Sequence, residues 1–265
     1  MSSSMIIGQY IPGNSVVHRL DPRSKIAIIF FFVVIVFFAN SVMSYGLLTV
    51  FAVGSAIITR IPVYYILKGL KPIWLLILFT FVLHLIVTKQ GDVIFNVLGW
   101  KVYSEALIQG AAISLRFFLL IMVTSLLTLT TTPIEITDAI EELLAPLKKV
   151  RFPVHELALM MSISLRFIPT LMQETEKISR AQASRGVDFR TGSFKDRIRA
   201  IIPLLVPLFV SAFKRAEELA MAMEARGYKG GEGRTKLREL QISKVDISLY
   251  VLFSALIVGL ILTRS

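Results

Sequence analysis

The sequence contains no cysteine, which excludes disulfides, thiolate nucleophiles and cysteine metal sites. It also lacks the short motifs of common catalytic centres. His155-Glu156-Leu157-Ala158-Leu159 begins like a zinc-protease helix, but the second His four residues on is missing. The Gly-rich, basic segment Gly227–Thr235 has no Gly-Lys-Ser/Thr, so it reads as a loop and not as a phosphate cradle. No Gly-x-Ser-x-Gly occurs. No catalytic residue, no metal site and no enzymatic activity is expected in this chain.

Charge is missing over long stretches. From Ile26 to Thr59 there is no Asp, Glu, Lys, Arg or His. Further uncharged runs cover Pro72–Leu83, Phe117–Ile134, Ala200–Phe213 and Ile247–Thr263. With 55% hydrophobic residues and a mean hydropathy of +0.71, the apolar content is arranged as membrane spans. None of these runs contains a carboxylate, whereas ion-driven carriers commonly place Asp or Glu inside the membrane to bind the coupling ion. A secondary transporter is therefore the runner-up reading, and an assembly anchor for another complex is a third. Met1–Gly8 lacks the basic-then-apolar order of a cleavable signal, so the first apolar run is expected to be retained.

The formal net charge is +11, and its placement explains it. Residues 177–199 carry seven Lys or Arg against two Asp, and residues 214–238 carry seven against four Glu. Such excess between apolar runs belongs on the cytoplasmic side and is attracted to anionic headgroups. No nucleic-acid recognition motif accompanies it.

The pattern predicts an all-α membrane protein with about five transmembrane helices plus amphipathic cytoplasmic helices. Residues 1–131 hold four spans, 26–38, 46–59, 73–88 and 106–130. Residues 132–240 hold amphipathic and partly embedded segments, and 241–265 hold a fifth span. Between spans, Thr132-Pro133-Ile134-Glu135 reads as a helix start, with Thr as cap and Pro at the first helical position. Arg116 and Arg166 fall in or near apolar segments and are read as snorkelling or paired with a carboxylate such as Glu156 or Glu174. His84 is read as hydrogen-bonded packing.

Two polar segments share one order, an apolar Pro-containing part followed by a charged part that ends in a small residue, Arg and Gly. The first ends at Ser184-Arg185-Gly186 and the second at Ala225-Arg226-Gly227, with the arginines 41 positions apart. Each Gly suits a left-handed helix cap and each Arg suits the negative end of a helix dipole. Repetition of the whole signature adds a functional reading: small residues let a helix end enter a groove on another protein, where the guanidinium forks onto a carboxylate. Pro169, Pro203 and Pro207 remove backbone donors and are read as points where a helix breaks to leave the membrane. Phe209, Phe213, Ala216, Ala220 and Met223 on one helix, and Ile168, Leu171, Thr175 and Ile178 on the other, read as the facing stripes.

These ends, with Leu165-Arg166-Phe167-Ile168-Pro169-Thr170-Leu171 before the first and His18-Arg19-Leu20-Asp21-Pro22-Arg23-Ser24-Lys25 before the first span, resemble the transmembrane T component of energy-coupling factor (ECF) transporters. The likeness runs from about His18 to Tyr228. The family pattern is Ala-Arg-Gly, matched by the second copy, while the first has Ser184 in place of Ala. The resemblance implies a multi-pass scaffold in the cell membrane, with its N-terminus and coupling helices cytoplasmic. It implies two ATPase partners held through Arg185 and Arg226, which bind ATP and magnesium so that this chain needs no cofactor. It also implies a small membrane-embedded S component that captures a vitamin or metal ion.

Overall fold

The computed structural model describes residues 10–97, 100–187, 194–230 and 240–263. The leader reading at Met1–Gly8 and the loop reading beyond Gly230 lie outside them. Two compact units are present, one of residues 1–143 with 240–265 and one of residues 144–239.

The first unit begins with α1 (Pro22–Val36), which starts at an Asp-Pro pair. The Asp21 carboxylate caps the helix by accepting the Arg23 amide at 2.8 Å, and Pro22 occupies a first-turn position where no amide donor is needed. Ser41 caps α2 (Val42–Thr59) in the same way through the Ser44 amide. α3 (Val63–Val87) bends by 60° between Lys71 and Ile73. A short antiparallel hairpin, β1 (Val93–Val97) with β2 (Trp100–Tyr103), lies between α3 and α4 and pairs Val93 with Tyr103 and Val97 with Trp100. α4 (Ser104–Thr130) follows.

α5 (Pro133–Leu143) starts where the sequence places a helix start, and with a reciprocal cap. Thr132 Oγ1 accepts the Glu135 amide at 3.3 Å while Glu135 Oε2 accepts the Thr132 amide at 3.0 Å. The sequence groups this helix with the segments that follow, yet it packs on α1 in the first unit. α8 (Lys244–Thr263) closes that unit. The core is shared by α1, α2, α4, α8 and the first half of α3, and is centred on Phe32, Val36, Leu48, Ala52, Leu119 and Leu126.

Polar bonds seal one end of this bundle. Asp246, fully buried at the start of α8, accepts the Ser243 amide at 2.8 Å and the Asp21 amide at 2.9 Å, tying α8 to the α1 cap. Arg23 reaches Asp21, Glu142 of α5 and the Leu240 carbonyl. Burial pushes the Asp21 carboxyl up, but the Arg23 side chain and amide outweigh it and hold the group below the ordinary carboxylate value. Lys25 donates to the Thr130 carbonyl and Thr131 Oγ1 at the end of α4.

That contact sets the reach of α1. Its first turn meets residue 130 of α4, and its last meets Arg116, whose guanidinium donates to Ala39 O at 3.2 Å and Tyr45 Oη at 2.8 Å and lies over the Phe37 ring. The sequence expects Arg116 to snorkel or find a carboxylate. It instead satisfies a carbonyl in the α1–α2 turn, which lacks a helical donor. At 15 residues α1 is about 22 Å long, so the helix at the span read at 26–38 is shorter than a hydrocarbon core of about 30 Å. Among the described residues α2, α4, α6 (Val154–Ser184) and α8 are long and apolar enough to cross, and α3 makes a fifth if its bent halves form one span. The chain is an all-α, multi-pass membrane protein.

The second unit consists of a 3₁₀ segment (Ala145–Val150), α6 and α7 (Phe194–Ala225). The breaks expected at Pro169, Pro203 and Pro207 do not occur. α6 runs through Pro169, and α7 runs through both Pro203 and Pro207. A proline removes one amide without ending a helix when the freed carbonyl finds another donor. Pro207 has no amide for Pro203 O, and that oxygen accepts Gln182 Nε2 from α6 at 3.3 Å.

Candidate functional site

α6 and α7 pack on each other in the second unit. Glu174 of α6 accepts Ser211 Oγ at 2.5 Å and pairs with Arg215 at 3.3 Å, while Gln182 meets Pro203. Numbers rise along α6 as they fall along α7, so the helices run antiparallel. The α6 stripe Ile168, Leu171, Thr175 and Ile178 is half-buried as the spacing suggests. On α7 the spacing picks a stripe of which only Met223 is half-buried, since Phe209 and Phe213 are exposed, as are Ala216 and Ala220. The half-buried side carries Leu204, Leu208, Ala212, Arg215, Leu219 and Met223. α7 has apolar residues on both sides, and the Glu174 carboxylate selects the one that bears Ser211 and Arg215.

Both helices end in the same hydrogen-bond pattern. At the first end, Val187 N donates to Gln182 O and Gly186 N to Ala183 O, both at 3.0 Å. At the second, Tyr228 N donates to Met223 O at 3.0 Å and Gly227 N to Glu224 O at 2.8 Å. These are the six-to-one and five-to-two bonds of a Schellman cap. Gly186 has φ of 88° and Gly227 of 76°, in the left-handed region that disfavours side chains. A methyl group at either would touch nothing within 4 Å, so backbone conformation and not crowding demands glycine there.

The residues before each glycine point away from the chain's own packing. Ser184, Arg185, Ala225 and Arg226 are exposed, and neither guanidinium makes a hydrogen bond or ion pair among the described residues. Ser184 Oγ donates to Arg180 O at 3.1 Å one turn back, which consumes its polar group. It then presents a surface like that of Ala225. Each end is thus a small residue, a cation at the negative pole of a helix dipole, and a sharp exit.

The two ends lie far apart. From Glu174 to Arg185 the chain rises about 16 Å, and from the Ser211–Arg215 contact to Arg226 about 20 Å the other way, at about 1.5 Å per residue. Along the two helix axes the backbone positions of Arg185 and Arg226 are on the order of 30 Å apart, too far for one small groove.

Sequence reasoning missed Gln182, Ser211 and Arg215, and named Glu174 with a different partner. The signal for Gln182 was present, because Pro207 in a helix leaves the carbonyl of Pro203, four residues back, without its helical donor, and some neighbour must supply one. The Glu156 and Glu174 partners suggested for Arg166 do not appear among its described contacts; Glu174 is engaged by α7. His84 lies half-buried, with Nδ1 at 3.4 Å from Thr88 Oγ1. Among the described residues no group of three or more His, Asp or Glu is placed to hold a metal ion.

With this geometry in view, comparisons with known proteins give consistent matches. A family model described as cobalt transport protein matches residues 13–237. The chain is 63% identical over 251 residues to an energy-coupling factor transporter transmembrane protein of Bacillus subtilis, covering 95% of both chains. It is 55% identical over 259 residues to the protein of the same name in Exiguobacterium sibiricum and 52% over 256 residues to that in Listeria innocua, covering 97% of each chain in both pairs.

Proposed function

This chain belongs to the family of energy-coupling factor transporter transmembrane proteins, and from that premise we propose that its two Arg-Gly helix ends seat a pair of cytoplasmic ATPase subunits. The chain is a transporter membrane component and not itself an enzyme. ATP and magnesium are bound by the ATPase partners, and this chain contributes no cofactor site.

The observation that carries this reading is the duplication. Two helix ends with the same cap, the same small-Arg-Gly order and exposed arginines stand about 30 Å apart, matching two separate grooves better than one. Each guanidinium forks onto a groove carboxylate, and the small residue beside it lets the helix end approach closely. In this arrangement the ends and the basic stretches around them face the cytoplasm, in the cell membrane.

A membrane-embedded S component is the third partner. Ile198, Ile201, Ile202, Leu205, Val206, Phe209, Val210 and Phe213 form an apolar stripe along α7 that is exposed among the described residues, which suits a partner within the bilayer. ATP-driven motion of the ATPases is passed through α6 and α7 to that partner and its cargo, a vitamin or a metal ion.

Affinity purification from native membranes tests the seats. The unaltered chain should bring down two ATPase subunits and a small membrane protein, identified by mass spectrometry. Arg185→Glu with Arg226→Glu should insert normally and retain less than about one tenth of the ATPase, as expected when charge-assisted contacts become repulsive. Retention at the parental level would refute the assignment.

A further inference from the structure

We propose that Gln182 is a positioning residue that fastens the first Arg-Gly end to the backbone of α7, so that the two ends travel as one body. The inference rests on the reading of those ends as partner seats, and it adds how motion at one reaches the other.

Gln182 is engaged at both of its ends. Its carbonyl accepts Arg185 N and Val187 N, both at 3.0 Å, and so anchors the cap that aims Arg185. Its side-chain Nε2 crosses to Pro203 O on α7 at 3.3 Å. That oxygen lacks its helical donor because position 207 is also proline. One residue therefore joins the turn of the first end to the one point of α7 where Pro207 leaves a carbonyl open to an outside donor.

A single pin lets two helices pivot, but a second lies eight residues back on α6, where Glu174 holds Ser211 and Arg215. The pins are about 12 Å apart along α6, enough to stop one helix rotating on the other. A load on Arg185 is then carried into α7, whose far end bears Arg226.

The absence of cysteine makes this directly measurable, because Lys177→Cys with Arg199→Cys places a single spin-label pair on exposed sites of the two helices. The label distances are read in the complex with its ATPases in lipid nanodiscs, before and after adding ATP. In the parental pair a narrow distribution is expected that ATP leaves unchanged. Gln182→Met keeps the side-chain length but removes the donor, and should raise the displaced population about fivefold, the shift for one net hydrogen bond. Pro207→Ala gives Pro203 O a donor within α7 and should loosen the pair to a similar degree. The double variant should be no looser than either single one, since both remove the same bond. Unchanged distances in Gln182→Met, additive loosening in the double variant, or separation of the parental pair on ATP addition would each overturn the proposal. If the parental chain retains no ATPase, the reading of the seats fails instead, and the same variants measured in the chain alone still decide the link.

Discussion

The two units handle apolar surface in opposite ways. In the first, α1, α2, α4 and α8 bury Phe32, Val36, Leu48 and Leu119 almost completely, and a polar cluster around Asp246 closes one end. In the second, only Val154 and Ala158 are buried among the described residues, while α7 keeps a full apolar stripe exposed. A helix with such a stripe is stable when something covers it, whether lipid or protein. The first unit has the build of a bundle that supplies its own partners, and the second that of a surface to be completed by others.

The largest test of this contrast pairs one phenylalanine from each unit. Phe32 is 0% exposed and Phe213 is 72% exposed. Phe32→Ala should cost about 3 kcal/mol through the cavity it leaves, whereas Phe213→Ala should change the stability of the isolated chain by less than about 0.5 kcal/mol. Thermal unfolding in detergent separates them, and equal losses would break the comparison.

A smaller effect is expected at the helix ends. Gly186→Ala and Gly227→Ala each force a side chain into the left-handed region, at a cost of about 1–2 kcal/mol. Because both ends are exposed, the cost should appear as faster amide exchange at residues 184–187 or 225–228, with the unfolding midpoint of the first unit unmoved. A fall in that midpoint would show that the ends contribute to the bundle after all.

The smallest expected effect concerns acid. The Asp21 carboxyl titrates below its ordinary value of 3.8, so its contribution is fully present above that value and is lost as pH falls further. Asp21→Asn keeps a capping oxygen but loses the pairing with Arg23. It should lower stability by no more than about 1 kcal/mol at neutral pH and flatten part of the loss below pH about 4. An unaltered acid profile would remove Asp21 from the account.

Much of the architecture was legible in the sequence because lipid punishes charge wherever it falls. The uncharged runs located α2, α4 and α8, and Thr132-Pro133-Ile134-Glu135 located the start of α5. The α1 run is a helix of 15 residues whose end was not legible, since a run of apolar residues says nothing of where the chain turns, and Arg116 on another helix holds that turn. The prolines were read as breaks because a missing donor is local, whereas the donor that replaces it at Pro203 comes from another helix. The α7 stripe was misassigned because two sides of that helix satisfy the same period.

The division follows the range of the forces. Composition and order alone settled that the chain crosses the membrane and that two helices stop at glycine, because desolvation and backbone sterics act on each residue where it stands. Tertiary structure decided which side of α7 meets α6, which carbonyl Gln182 finds and which amides Asp246 holds, because a hydrogen bond across a helix pair exists only once both partners have been brought within about 3 Å.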